Sequence, residues 1–307
     1  MNYSPIALFV YKRPEHTRRT LESLMQCPEF ADSPLYIFCD GVKNEKDKEK
    51  VMQTRKAVCS IVGTKAEIIE SSTNRGLANS IISGVTSLCH EYQRVIVVED
   101  DLVVAPQFLG FLNAALEKYK IESSLMHVTG YMYPIADLKD RTDALFLPFI
   151  SSWGWGTWKR AWDYFDPQAT GWELLNKDKN MRYRFNLDSN YDFFEMLKMQ
   201  MSGDIDSWAI RWYWSIFKKN GYTVYPPISY VKNIGFDSSG THGNWTARKY
   251  LKELDYPHNT RHINLPNDIN ISLEEYEIIK KFVLKLNPKW LSFSKKLLKP
   301  VFQIINK

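Results

Sequence analysis

The sequence predicts an α/β protein, a mostly parallel sheet flanked by helices with a helical extension at the C-terminal end. Three observations carry this expectation. Short apolar runs alternate with longer amphipathic ones through the first 120 residues. One run, Val95-Ile96-Val97-Val98, is apolar on both faces, as a strand buried between two helical layers must be. Polar residues also gather immediately after the runs, where open α/β sheets bind their ligands.

The elements follow in order. Residues 5–11 (PIALFVY) read as the first strand. Pro14 and Glu15 then open a helix to about Met25, because proline's fixed φ and missing N–H suit a first turn and an acid suits its positive end. Residues 34–40 (PLYIFCD) are the second strand, with a charged helix around 45–61 after it. Residues 66–71 (AEIIES) are the third, followed by a helix carrying Leu77, Ile81, Val85, Leu88 and Cys89 on one face. Residues 94–101 (RVIVVEDD) are the fourth, and a helix near 106–119 comes next.

The middle of the chain is more aromatic. Residues 151–167 (SSWGWGTWKRAWDYFDP) place four tryptophans within ten positions, and 204–222 reads as a helix with Trp208, Trp212 and Phe217. ISLEEYEIIKKFVLKLNP predicts one amphipathic helix, and from Lys285 to Lys307 there are lysines but no acids. We divide the chain into an α/β half at 1–125, a more aromatic half at 126–268 and a basic amphipathic tail at 269–307.

Composition bounds the function. A chain of 307 residues with 44% hydrophobic content builds a sizeable core as one large domain or two. The net charge of +5 and pI near 8.8 favour anionic ligands, but the basic residues form no concentrated stripe, which argues against nucleic acid. The cysteines Cys27, Cys39, Cys59 and Cys89 are scattered singly, as buried thiols in a reducing compartment would be. IALFVY is too short for a signal sequence, and no apolar stretch reaches about 18 residues. These features predict a cytoplasmic protein.

Glu99, Asp100 and Asp101 end the fourth strand together. Adjacent anions need solvent, basic partners or a cation. Mg²⁺ and Mn²⁺ take one or two carboxylates together with substrate phosphates, which a short acidic motif at a strand end can supply. The alternative is a set of turn or capping acids ahead of Pro106. Asn74-Arg75-Gly76 begin a helix, where free amides and a guanidinium favour a phosphate, although Asn74 also reads as a cap. Asp40-Gly41 after a strand is either a turn or an acceptor for the N–H of a base. Together these residues describe a nucleoside diphosphate bridged to protein through a divalent ion.

VIVVEDDLVVAPQFLGFL, with NRGL upstream and SSWGWGTWKRAW downstream, resembles the GT-A glycosyltransferases. It is most similar to the N-acetylglucosaminyltransferase I type, whose acidic signature is also Glu-Asp-Asp, and to bacterial family 2-like enzymes. The likeness spans roughly residues 5 to 245, and the 18 residues around the acids are its most specific part. The resemblance implies a Rossmann-like GT-A sheet, a nucleotide-sugar donor such as a UDP-sugar, Mn²⁺ or Mg²⁺, and transfer with inversion. It gives Asp101 to the metal, Asp100 to the ribose, Glu99 to the donor sugar, Asp40 to the base, and Arg13, Asn74 and Arg75 to the nucleotide. The base that inversion requires falls on Asp206, with Asp204 as alternate, although Asp206 also reads as a helix N-cap.

Trp153 and Trp155 lie between glycines in SSWGWG and are candidates for a wall against a sugar, where Trp158 and Trp162 at i, i+4 spacing read as packing. His242, in the loop GFDSSGTHG, is a second candidate for the metal or diphosphate, set against the ordinary reading of a surface histidine. The tail, with Trp290, Phe293, Lys295, Lys296 and Lys299, is expected either to lie on the inner face of an anionic membrane or to dock on the domain. Membrane binding would suit a lipid-linked acceptor and surface-polysaccharide synthesis. Two other classes compete: a non-catalytic glycan-binding or membrane-recruitment protein, and a sugar-phosphate nucleotidyltransferase, which usually opens with a Gly-rich loop where FVYKRPEH has no glycine.

Overall fold

The runs that are apolar on both faces form the centre of the molecule. The computed structural model describes residues 3–235 and 263–286. Ile6–Val10 (β1) pairs in parallel with Arg94–Glu99 (β4), Ile6 beside Ile96, and Val95 through Val98 have no exposed surface. Leu35–Cys39 (β2) flanks β1 on its other side and Ala66–Glu70 (β3) forms the edge, both parallel. Leu125–Thr129 (β6), Leu145–Leu147 (β7), Trp155–Trp158 (β8) and Tyr222–Tyr225 (β9) extend the sheet to eight strands in the order β3-β2-β1-β4-β8-β6-β9-β7. β8 is antiparallel to both neighbours and β7 is antiparallel to β9. The observed class is therefore the expected one.

Pro14–Leu24 (α1), Glu45–Val62 (α2), Leu77–Tyr92 (α3) and Phe108–Lys118 (α4) connect these strands. Right-handed crossovers put α1 and α2 on one face and α3 on the other, where α3 packs on β1 and β4. Ile81, Val85, Leu88 and Cys89 of α3 are buried as expected; Leu77, at its first position, is exposed. The chain adds strands first on one side of β1 and then on the other. The carboxyl ends of β1 and β4 thus form a topological switch point, where a crevice opens.

Two boundaries differ from expectation. Leu102–Val104 (β5) is a separate strand that pairs antiparallel with Val231–Asn233 (β10), because Asp100 and Asp101 turn the chain out of the main sheet. The helix expected over 204–222 runs from Trp208 to Lys218 (α9), and Tyr222 already begins β9. Lys159–Trp162 (α5), Leu174–Lys177 (α6), Lys179–Phe185 (α7) and Phe193–Met201 (α8) precede it. Leu273–Leu286 (α10) forms the expected amphipathic helix and buries Ile279 and Val283 in a second core beside Phe185, Tyr213 and Trp214. Lys280 on its buried face is paired with Asp188 and Glu277. The tail residues Trp290 to Lys299 lie outside the described residues. Among the described residues, no helix is long and apolar enough to cross a membrane. Cys27, Cys39 and Cys89 are buried thiols, whereas Cys59 is exposed.

The centre of the core is polar at one point. His127 on β6 is fully buried, stacked on Trp155, with Trp212 Nε1 donating to its Nδ1 at 3.1 Å and the Ser151 carbonyl 3.0 Å from its Nε2. This pattern requires the neutral ring with its proton on Nε2. Burial pushes its pKa down to about 3. An unfolded histidine titrates near 6.5, so as pH falls from there toward 3 the unfolded chain takes up a proton that the native one refuses. Stability is expected to fall by about 1.4 kcal/mol per pH unit across that window from this group. Urea melts from pH 7 to 4.5 should show a shallower slope in His127→Gln than in wild type.

Candidate functional site

The acids stand at the switch point, beside the loop that leaves β1. Arg13, the residue before α1, reaches across to β4 and donates from Nη1 to Asp101 Oδ2 at 2.8 Å, with Asp100 Oδ1 at 3.9 Å. Asp100 is fixed by the Tyr11 amide on Oδ2, at 3.2 Å, and by Thr20 Oγ1 on its main-chain oxygen. One guanidinium does not balance three carboxylates. Burial, and then the charges of Asp101 and Asp100, push Glu99 up to about 8; burial and Asp101 push Asp100 up to about 7.

Its fit to a divalent cation can be judged from the donors and the space. Asp101 supplies a hard carboxylate oxygen that occupies the volume a side chain at position 235 would fill: a Cβ on Gly235 would stand 2.2 Å from Asp101 Oδ2. Among the described residues, no group of three His, Cys, Asp or Glu side chains converges on one point. The set therefore fits an ion that takes one carboxylate from protein and most of its shell from phosphate and water, as Mg²⁺ and Mn²⁺ do, and does not fit an all-protein cage. His242 lies outside the described residues.

Asp40 makes up a second grouping next to the first. Its Oδ1 accepts from the Gly41 and Arg75 amides, both at 2.8 Å; its Oδ2 accepts from the Gly76 amide and Asn74 Nδ2, both at 3.0 Å. A carboxylate has about four acceptor sites, and all are used. This corrects two expectations: Asp40 has no lone pair left for the N–H of a base, and the amides of Arg75 and Gly76 are committed to Asp40 and not open to a phosphate. Asn74 is likewise a latch, holding Asp40 and the Gly41 carbonyl; the Arg75 side chain remains exposed. Asp40→Asn would turn an amide N–H₂ toward backbone donors, at a cost of about 2 kcal/mol. We expect a lower melting temperature together with faster proteolysis at residues 72–76.

Asp206 closes the other side. It precedes α9 but does not cap it; Ser207 is the N-cap, its Oγ accepting from Ile210, so the N-cap reading of Asp206 is corrected. The Asp206 carboxylate is exposed, 3.2 Å from the buried guanidinium of Arg211, and its Oδ2 lies 3.8 Å from where a Cβ on Gly76 would be. Asp204 faces solvent and accepts from Ser202. Trp155 is another correction: with no exposed surface, stacked on His127 and Trp208, it is core and cannot wall a sugar. Trp153 is partly buried against Tyr131, while Trp158 and Trp162 are buried as expected.

Sequence reasoning left two supports unread, the tie made by Asp47 and the partner of Gly41. Tyr11 and Lys12 are both bound to Asp47, which ties the β1 loop to α2. Gly41 is obligatory, since a Cβ there would stand 2.3 Å from the Thr73 backbone. Asp-Gly after a strand was a legible sign for Gly41, though not for its partner; Gly235 and Asp47 carried none.

No family model and no curated protein matches the sequence. Among solved structures, the mannosyltransferase PcManGT from Pyrobaculum calidifontis, in complex with GDP-Man and Mn²⁺, is similar with a TM-score of 0.34 and 14% identity over 50% of this chain and 45% of that one. Glucosyl-3-phosphoglycerate synthase from Mycobacterium tuberculosis, in complex with Mn²⁺, UDP and phosphoglyceric acid, gives 0.34 and 9% over 53% and 57%. TarS of S. aureus gives 0.29 and 13% over 42% and 21%. The chain thus spans between about a fifth and three fifths of these proteins, and likeness of this degree carries no weight for the site.

Proposed function

We propose that this protein is a metal-dependent glycosyltransferase of GT-A type, moving a sugar from a nucleotide-diphosphate donor, a UDP-sugar in the first instance, to a hydroxyl of a glycan or lipid-linked acceptor with inversion. The observation that supports it most is the Glu99-Asp100-Asp101 turn at the switch point, with Arg13 on Asp101 and the Asp101 carboxylate packed against the side-chain-free Gly235. Asp101 would hold Mn²⁺ or Mg²⁺, and the bound ion would supply charge to offset the departing diphosphate. Asp100, fixed by Tyr11, would take the ribose hydroxyls, and Glu99 would approach the donor sugar. Arg13 and the exposed Arg75 side chain would meet the diphosphate.

Asp206, held by Arg211, would take the acceptor hydroxyl's proton. In this reading residues 1–125 bind the donor and 126–268 the acceptor, on one continuous sheet. A role in surface polysaccharide synthesis, at the inner face of a bacterial membrane, is the setting we assign. Calorimetric titration of nucleoside diphosphates and nucleotide sugars, with and without Mn²⁺, tests the reading. Metal-dependent binding of one nucleotide is expected, and the NMR coupling constant of the product's anomeric proton then reports inversion. No binding of any nucleotide in either condition sinks it, in favour of a non-catalytic glycan-binding protein.

A further inference from the structure

Arg13 stands where an ion would interfere with it. Its Nη1 is 2.8 Å from Asp101 Oδ2, the same oxygen that fills the gap at Gly235. The guanidinium is mostly covered, with 19% of its side chain exposed. The backbone beneath it is fixed, because the Arg13 carbonyl accepts from the Thr17 amide at 2.9 Å as α1 begins. The side chain alone is therefore free to change position. A divalent cation on Asp101 and a guanidinium in contact with the same carboxylate would compete for one oxygen and repel one another at short range.

We propose that Arg13 is a placeholder cation: it neutralises Asp101 while the site is empty and must swing away when a divalent ion arrives, its guanidinium passing to the donor diphosphate. The idea rests on the metal reading above and deepens it. Two consequences follow from the exchange. Metal alone binds weakly, because it has to displace an ion pair without giving Arg13 a new partner. Diphosphate supplies that partner, a bidentate match for the guanidinium fork, so metal and nucleotide strengthen each other's binding. The acids are also kept from repelling one another in the empty protein, which an open Asp101 would not allow.

The test is Mn²⁺ binding, followed by the electron paramagnetic resonance signal of the free ion, in wild type, Arg13→Gln, Arg13→Lys and Asp101→Asn. Without nucleotide, Arg13→Gln is expected to bind Mn²⁺ at least tenfold more tightly than wild type, and Arg13→Lys to fall between them. With UDP present the gain shrinks, since wild type has then released its arginine. Asp101→Asn should bind in neither condition. Circular dichroism confirms that each variant is folded, and Arg13→Lys, which keeps the charge, carries the test if Arg13→Gln is not. Unchanged or weaker binding in the arginine variants, with Asp101 still required, overturns the placeholder and leaves the metal site standing. Absence of Mn²⁺ binding in every protein, with and without UDP, brings down the metal reading as well.

Discussion

Asp101→Ala is expected to lower sugar transfer by about 10³-fold, the scale of loss when one group that offsets developing charge is removed, while leaving the melting temperature unchanged or slightly raised. The two halves of this expectation have separate origins. Activity falls if, as proposed, Asp101 is the carboxylate that holds the ion. Stability does not fall, because the deletion relieves the repulsion that helps push Glu99 up to about 8 and Asp100 up to about 7. Arg13 keeps Asp100 as a neighbour, 3.9 Å away. Initial rates at saturating Mn²⁺, beside a thermal melt, decide the matter. Activity within tenfold of wild type would remove Asp101 from the metal, and a large drop in melting temperature would make it a structural residue.

That separation of stability from activity also distinguishes the functional readings. Three adjacent acids with one basic partner among the described residues are an arrangement that folding alone does not favour. An ordinary capping role would leave them paired with backbone amides, as Asp40 is, with both its oxygens occupied. Asp100 has one such amide, from Tyr11, and both Glu99 and Asp100 are held above the usual carboxylate range. Under the proposed function, a cation arriving with a diphosphate would satisfy these acids.

The parts of this fold that were legible in the sequence are those set by local periodicity. The run Val95 to Val98 identified a buried strand because no half-exposed strand tolerates four consecutive apolar residues, and Pro14 marked the start of α1 because its ring fits that turn alone. What could not be read was set by long-range pairing. β5 exists because Val231–Asn233 comes back to it from more than a hundred residues away. Asp40 looked like a free acceptor because nothing local shows that Arg75 and Gly76 turn their amides onto it. The tryptophans were ambiguous for the same reason, since glycine neighbours permit a close approach from either ligand or core.

Trp155→Ala is expected to destabilise the protein by about 4 kcal/mol, the usual cost of emptying a buried aromatic site, and Trp155→Phe by only about 1 kcal/mol. The first figure follows from total burial and from contacts with three rings: His127 at 5.0 Å, Trp162 at 5.9 Å and Trp208 at 4.8 Å between centroids. The second is small because Trp155 Nε1 is buried without a hydrogen-bond partner among the described residues, so phenylalanine removes an unsatisfied donor as it gives up packing. Urea unfolding at neutral pH measures both. A sugar-facing tryptophan would behave in the opposite way, with normal stability and weak donor binding. The core position still reaches the site, because Trp208, stacked on Trp155, is the first residue of α9 and stands two positions after Asp206. Trp155→Phe should therefore keep donor affinity and lose part of its turnover, as the stack that sets the start of α9 loosens and Asp206 with it.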